Sequence, residues 1–129
     1  MEPRTHLAIR PEWVGEILEL DEGRCRARLV ARPEMAADDR GLVHGGFTFG
    51  LADYAVMMAV NDPFVVLGAA EVRFTAPVRV GETLVAEARV VEVRGKKRVA
   101  EVHVDVDGRR VLEGTLTAFV LDRHVLDPA

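Results

Sequence analysis

Residues 24–32 alternate with a period of two: Arg24, Arg26, Arg28 and Arg32 interleave with Cys25, Ala27, Leu29 and Ala31. Residues 99–107 do the same, with Glu101, His103, Asp105 and Asp107 set between Ala100, Val102, Val104 and Val106. A period of two marks a strand with one wet and one buried face. Asp107-Gly108 and Arg94-Gly95-Lys96 are turn signals that predict hairpins. Residues 84–93 and 110–121 also read as strands, as do 13–20 and 65–77 less regularly. The alternation breaks at residues 45–61, which are apolar nearly all round. That run opens after His44-Gly45-Gly46 and closes at Asn61-Asp62-Pro63, where proline forbids continuation of a helix. A helix without a polar face has to be wrapped by protein on most sides, so it is central. The expected order is two strands, the buried helix, then four strands. This is an α+β fold whose long antiparallel strands, with small inward residues at Ala86, Ala88, Ala100, Gly114 and Ala118, curl closely around one helix.

The chain of 129 residues suits a single domain over 1–129, and its 49% apolar and 29% charged residues suit a globular protein. A net charge of −4 argues against a general nucleic-acid binder. Cys25 is alone, so no internal disulfide or thiolate metal cage can form, and a reducing compartment is expected. No basic segment leads into a short apolar run, and Asp53 interrupts the one long apolar stretch. No membrane association and a cytoplasmic location are therefore expected. No metal is expected either, because the histidines at 6, 103 and 124 lack ligand spacing with Asp38, Asp39 and His44.

Asp53 is the sharpest chemical signal, being the single charge between His44 and Asp62. An unpaired carboxylate in apolar surroundings is costly and its basicity rises, as a general base or nucleophile requires. The other reading is a structural aspartate at a neighbouring helix end or subunit seam. Gly45 and Gly46 open the helix, where backbone N–H groups are unpaired and the dipole is positive. They either admit a carbonyl oxygen to those donors or simply make the turn into a crowded helix. His44 is a base, a donor, or a helix-entry residue. Nine residues at 100° place a helical His44 opposite Asp53. The two could then meet only if two copies of the helix packed antiparallel across a two-fold axis.

The run Gly41-Leu42-Val43-His44-Gly45-Gly46, with Leu51-Ala52-Asp53 and Ala55 after it, resembles the hotdog-fold thioesterases of the PaaI-like, phenylacetate-pathway type. Ala76-Pro77-Val78-Arg79-Val80-Gly81-Glu82 is similar to their connection between the third and fourth strands. The resemblance implies a long central helix wrapped by a curved antiparallel sheet of five to six strands. It implies hydrolysis of an acyl-CoA thioester to free acid and CoA in a homodimer or a dimer of dimers. Coenzyme A would be part of the substrate, with no separate cofactor. Asp53 would attack the thioester or activate water, Gly45 would supply the oxyanion donor, and His44 would position the carbonyl or water. Gly46, Phe47, Phe49, Tyr54 and Met57 would line the substrate site.

Departures from the family pattern keep a second function open. The family's Asn or Gln six residues before the histidine is Asp38 here, and a carboxylate cannot donate to a carbonyl unless protonated. The family's hydroxyl residue near the start of the third strand has no counterpart in residues 65–70. The alternative is therefore a non-catalytic acyl-CoA-binding hotdog module with a regulatory role. A hydratase is disfavoured, since Gly41 and Leu42 stand where its Asn and Pro belong and Met58 where a dehydratase acid is expected. Arg94, Lys96, Lys97 and Arg98 either hold the phosphates of coenzyme A or form a solvated hairpin tip. His103 reads as plain surface and Cys25 as a small core residue.

Overall fold

A computed structural model describes residues 1–128 of the chain. The elements are α1 (Pro11–Val14), β1 (Glu16–Asp21), β2 (Arg24–Val30), a 3-10 turn (Pro33–Met35), α2 (Gly45–Val60), β3 (Val65–Phe74), β4 (Thr83–Arg94), β5 (Lys97–Val106) and β6 (Arg109–Val120). The strands form one six-stranded antiparallel sheet in the order β1-β2-β4-β5-β6-β3, with α2 on its concave face. One expectation fails at residues 13–20. Trp13 lies in the short helix α1 and the strand begins only at Glu16. Pro11 presets the first helical turn, and Gly15 at φ 109° lets the chain leave it.

Registration across the sheet explains why small residues recur. Cys25, Ala88, Val102 and Gly114 stand in one row, and Ala27, Ala86, Val104 and Leu112 in the next. All except Gly114 are buried. Their short side chains let the sheet close on Leu51, Ala52, Ala55, Val56 and Met58 of α2, which are fully covered. Register shifts in β1, β3, β4 and β5 add the local bends that curling needs. Asn61 ends α2 in a left-handed conformation, φ 50°, its N–H donating to the Met57 carbonyl at 2.8 Å. Asp107 and Gly108 take positive φ at the β5–β6 turn, as a two-residue hairpin demands.

The outer face of the sheet is polar. Arg26 approaches Glu87 at 3.6 Å, His103 lies between Glu87 at 3.4 Å and Asp105 at 3.3 Å, and Arg110 pairs with Asp105 at 2.7 Å. His103 is thus half-buried in a ladder of polar side chains, its Nδ1 without a hydrogen-bond partner, and not the plain surface residue expected. Cross-strand registration of Glu87, His103 and Glu113 builds that ladder. The edges differ. β1 carries Glu16, Glu19 and Asp21, whereas β3 is ten residues long with only Glu71 and Arg73 charged.

Cys25 is fully buried against α2, and burial pushes its thiol up to about 12. We expect no reaction of the native protein with a thiol-reactive disulfide at pH 8 and full reaction in guanidinium. Rapid native labelling would show that β2 opens readily.

Candidate active site

His44 is the N-cap of α2, in extended conformation at φ −61° and ψ 129°, with its N–H bonded to the Met35 carbonyl at 2.9 Å. It sits outside the first turn, so the rotation that set a helical His44 opposite Asp53 does not apply. The Phe47 N–H returns to the His44 carbonyl at 3.0 Å. By position, the amides of Gly45 and Gly46 have no intrahelical acceptor. Gly46 lies under the His44 imidazole, which a Cβ there would approach to 3.1 Å. Gly45 faces a cavity of about 410 Å³ lined by Val43, Thr48, Phe74 and Pro77, among others. A Cβ at Gly45 would stand 3.4 Å from the Phe74 ring. Thr48 and Phe74 were not singled out from the sequence. Thr48 has no local signal inside an apolar helix, and Phe74 arrives from a strand 29 residues away.

Asp53 is half-buried two turns into α2, with Oδ1 out of contact with solvent and without a hydrogen-bond partner. Among the described residues no cation pairs with it. Burial raises its carboxyl from an ordinary 3.8 to about 6. At 100° per residue, Gly46, Phe49 and Gly50 share a sector with Asp53. Gly46 is exposed and the others are half-buried, and a Cβ at Gly50 would meet nothing within 4 Å. The sheet and the amino-terminal segment cover the rest of the helix, so one face of α2 stays open. A carboxylate with raised basicity on that face can accept a proton from water or attack an electrophilic carbon.

The other expected residues are dispersed. Met57, expected at the substrate, is 1% exposed and belongs to the core. Phe47 and Tyr54 lie against Trp13 and His6, at ring distances of 6.3 and 6.4 Å. Asp38 and Asp39 are on an exposed loop, where Asp38 Oδ1 accepts from the N–H groups of Arg40 (2.9 Å) and Leu42 (3.1 Å). That is the turn an aspartate commonly makes with its own backbone. In the basic cluster, Lys96 pairs with Asp122 at 3.0 Å and Arg98 donates to the carbonyls of Gly95 and Lys97, while Arg94 ends β4 exposed. A larger hollow, about 1000 Å³, lies over the outer sheet face among Arg24, Glu87, Arg89 and His103. It is open, its charges serve one another, and neither Asp53 nor Gly45 lines it. We therefore place the site on α2. Among the described residues no helix is long and apolar enough to cross a membrane, and no cluster of three or more His, Cys, Asp or Glu could hold a metal ion.

Comparison with known proteins agrees with this architecture. An uncharacterized protein, PH1136, from Pyrococcus horikoshii is 53% identical and superimposes with a TM-score of 0.97 over 98% of both chains. A mutant of the phenylacetic acid degradation protein PaaI from Thermus thermophilus is 28% identical, with a TM-score of 0.77 over 86% of this chain and 97% of that one. Methylthioribose-1-phosphate isomerase of Aquifex aeolicus is 46% identical over 123 residues, 95% of this chain but 27% of that protein. Transcription factor FapR of Caldanaerobacter subterraneus is 28% identical over 117 residues, 89% of this chain and 58% of that protein. The chain thus spans about a quarter to three-fifths of these two curated relatives. The family model described as "MaoC like domain" matches residues 36–117, from the loop before α2 into β6. With one long helix held in a six-stranded antiparallel sheet and PaaI proteins among its structural neighbours, the chain belongs to the MaoC-like hotdog domain family.

Proposed function

We propose that the chain hydrolyses an acyl-CoA thioester, with Asp53 as general base or nucleophile. The observation that carries this reading is the unpaired carboxylate of Asp53 on the open face of α2. As a base, Asp53 takes a proton from water while the water oxygen attacks the thioester carbonyl. The oxyanion is held by the Gly45 N–H at the positive end of the helix, and His44 positions the carbonyl or the water. When the tetrahedral intermediate collapses, the C–S bond breaks and the thiolate of CoA recovers the proton from Asp53. As a nucleophile, Asp53 would instead attack the carbonyl and expel the CoA thiolate as the C–S bond breaks. Water then opens the mixed anhydride to the free acid and the Asp53 carboxylate, and its remaining proton goes to the thiolate.

Gly45 and Asp53 of one helix are eight residues, about 12 Å, apart along the axis. Reacting groups must lie within about 3–3.5 Å of one another. One carbonyl cannot meet both within a single chain, so the site is composite. Gly45 of one copy serves Asp53 of another, in a homodimer or a dimer of dimers. The open face of α2 and the long edge of β3, with only Glu71 and Arg73 charged, support that assembly.

A second reading is an acyl-CoA-binding module without turnover. Two observations favour it. The carboxylate of Asp38 is committed to backbone amides and offers no donor to a carbonyl. Relatives at 28–38% identity are transcription factors. Release of free CoA from a panel of acyl-CoA esters separates the readings. Hydrolysis predicts kcat/KM that falls about tenfold per pH unit below about 6 and levels off above it, as Asp53 loses its proton. Tight binding without release at any pH would favour the module.

A further inference from the structure

The first fifteen residues take no part in this chemistry, yet they follow α2 along its length. At the helix end, the Arg4 N–H donates to Asn61 Oδ1 at 2.7 Å and Asn61 Nδ2 donates to the Glu2 carbonyl at 2.9 Å. Farther back, the His6 ring meets Tyr54 edge-on at 6.4 Å, and at the first turn Trp13 packs on Phe47 at 6.3 Å. The segment therefore runs antiparallel to α2, along the flank that Tyr54 and Phe47 present beside the Asp53 sector. It is a built strap and not a loose end. Thr5 is buried, its Oγ1 stands 2.8 Å from His6 Nδ1, and His6 is held at φ 55°, a backbone that a non-glycine residue keeps only when its surroundings enforce it. Although His6 as a whole is exposed, the covering of its ring lowers the imidazole below its ordinary range.

Between the strap and the start of β3 lies a cavity of about 530 Å³, lined by Leu7, Ala8, Phe64, Val66 and Val125, among others. Leu7 is 75% exposed and Val125 is 55% exposed, so apolar side chains from both ends of the chain face open space there. His6 also lines it, and its ring meets Tyr54, the residue after Asp53 in the helix. The cavity lies beside the carboxyl end of α2, about 12 Å along the axis from Asp53. A short or aryl acyl group held at Asp53 would not reach that far. A long aliphatic chain would, and each methylene buried there would add about fourfold to binding.

We propose that the strap is the specificity-determining wall of the acyl site. Leu7 and Ala8 on one side, with Phe64, Val66 and Val125 on the other, receive the distal end of a long straight-chain acyl group, and His6 on Tyr54 anchors the wall. This rests on the acyl-CoA reading above.

The test measures kcat/KM for CoA release, and calorimetric affinity, for straight-chain acyl-CoAs from butyryl to palmitoyl. The proteins are the full wild-type chain, Ala8→Phe, which fills the cavity, and Leu7→Asp, which charges it. Both positions are exposed, so the fold should tolerate either change. We expect wild-type preference to rise with chain length, and the palmitoyl-to-butyryl ratio to drop at least about tenfold in both variants, mainly through KM or affinity. Esters that bind or turn over with the same length ranking in all three proteins would overturn the strap proposal alone. Failure of every ester to bind or react would overturn the acyl-CoA reading and the strap proposal with it.

Discussion

Asp53→Asn should reduce CoA release at least about a thousandfold, chiefly in kcat, while making the protein more stable at pH 7. The first effect follows from removing a group that acts in the transition state. The second follows from its burial. With a carboxyl at about 6 in the folded chain against an ordinary 3.8, the native state binds the proton more tightly than the unfolded state does. Above about pH 6 the folded protein carries the full cost of a desolvated charge, which asparagine removes. The gain is on the order of 1–3 kcal/mol at pH 7, shrinks as the pH falls below 6, and is gone below about 4. Urea midpoints at pH 7.5, 5 and 4, measured beside the rate, check both halves. A variant that is inactive but less stable at pH 7.5 would mark Asp53 as structural support.

The largest purely structural effect should come from Gly114→Ala. A Cβ at this position of β6 would overlap the Glu71 carbonyl oxygen and lie 2.7 Å from Val72 Cα. Both are backbone atoms of the paired strand, so no side chain can swing away. β3 has to move off β6, at about 3 kcal/mol, a fall in melting temperature of roughly 10 °C. Gly50→Ala is the control. Within one chain nothing lies near that Cβ and alanine is the better helix former, so the expected change, measured at a concentration dilute enough to keep copies apart, is a gain of up to about 1 kcal/mol. Equal losses at both positions would contradict the close β3–β6 approach.

Much of this architecture could be read from residue order because it is carried by local repetition. Residues 24–32 and 99–107 alternate, and each buried member of those runs lies on the concave face. His44-Gly45-Gly46 and Asn61-Asp62-Pro63 bracket α2 to within a residue. Asp53 was legible because a lone charge in such a run is costly. What could not be read is what depends on distant segments meeting. The even apolarity of α2 called for cover on most sides, but composition did not say that the Gly46–Asp53 sector would be the one this chain leaves open. Trp13 looked like a strand residue because four residues are too few to display a helical period. The approach of Phe74 to Gly45, and of His6 to Tyr54, left no trace in local pattern.

β3 is a ten-residue edge strand whose alternate residues turn their N–H and C=O groups away from the sheet, with neither lysine nor proline to discourage strand addition. On the proposed assembly of copies, melting becomes a matter of mass action: dilution into the nanomolar range should lower the unfolding midpoint, and concentration should raise it. The same edge is where a stray extended peptide would graft itself on were it left uncovered.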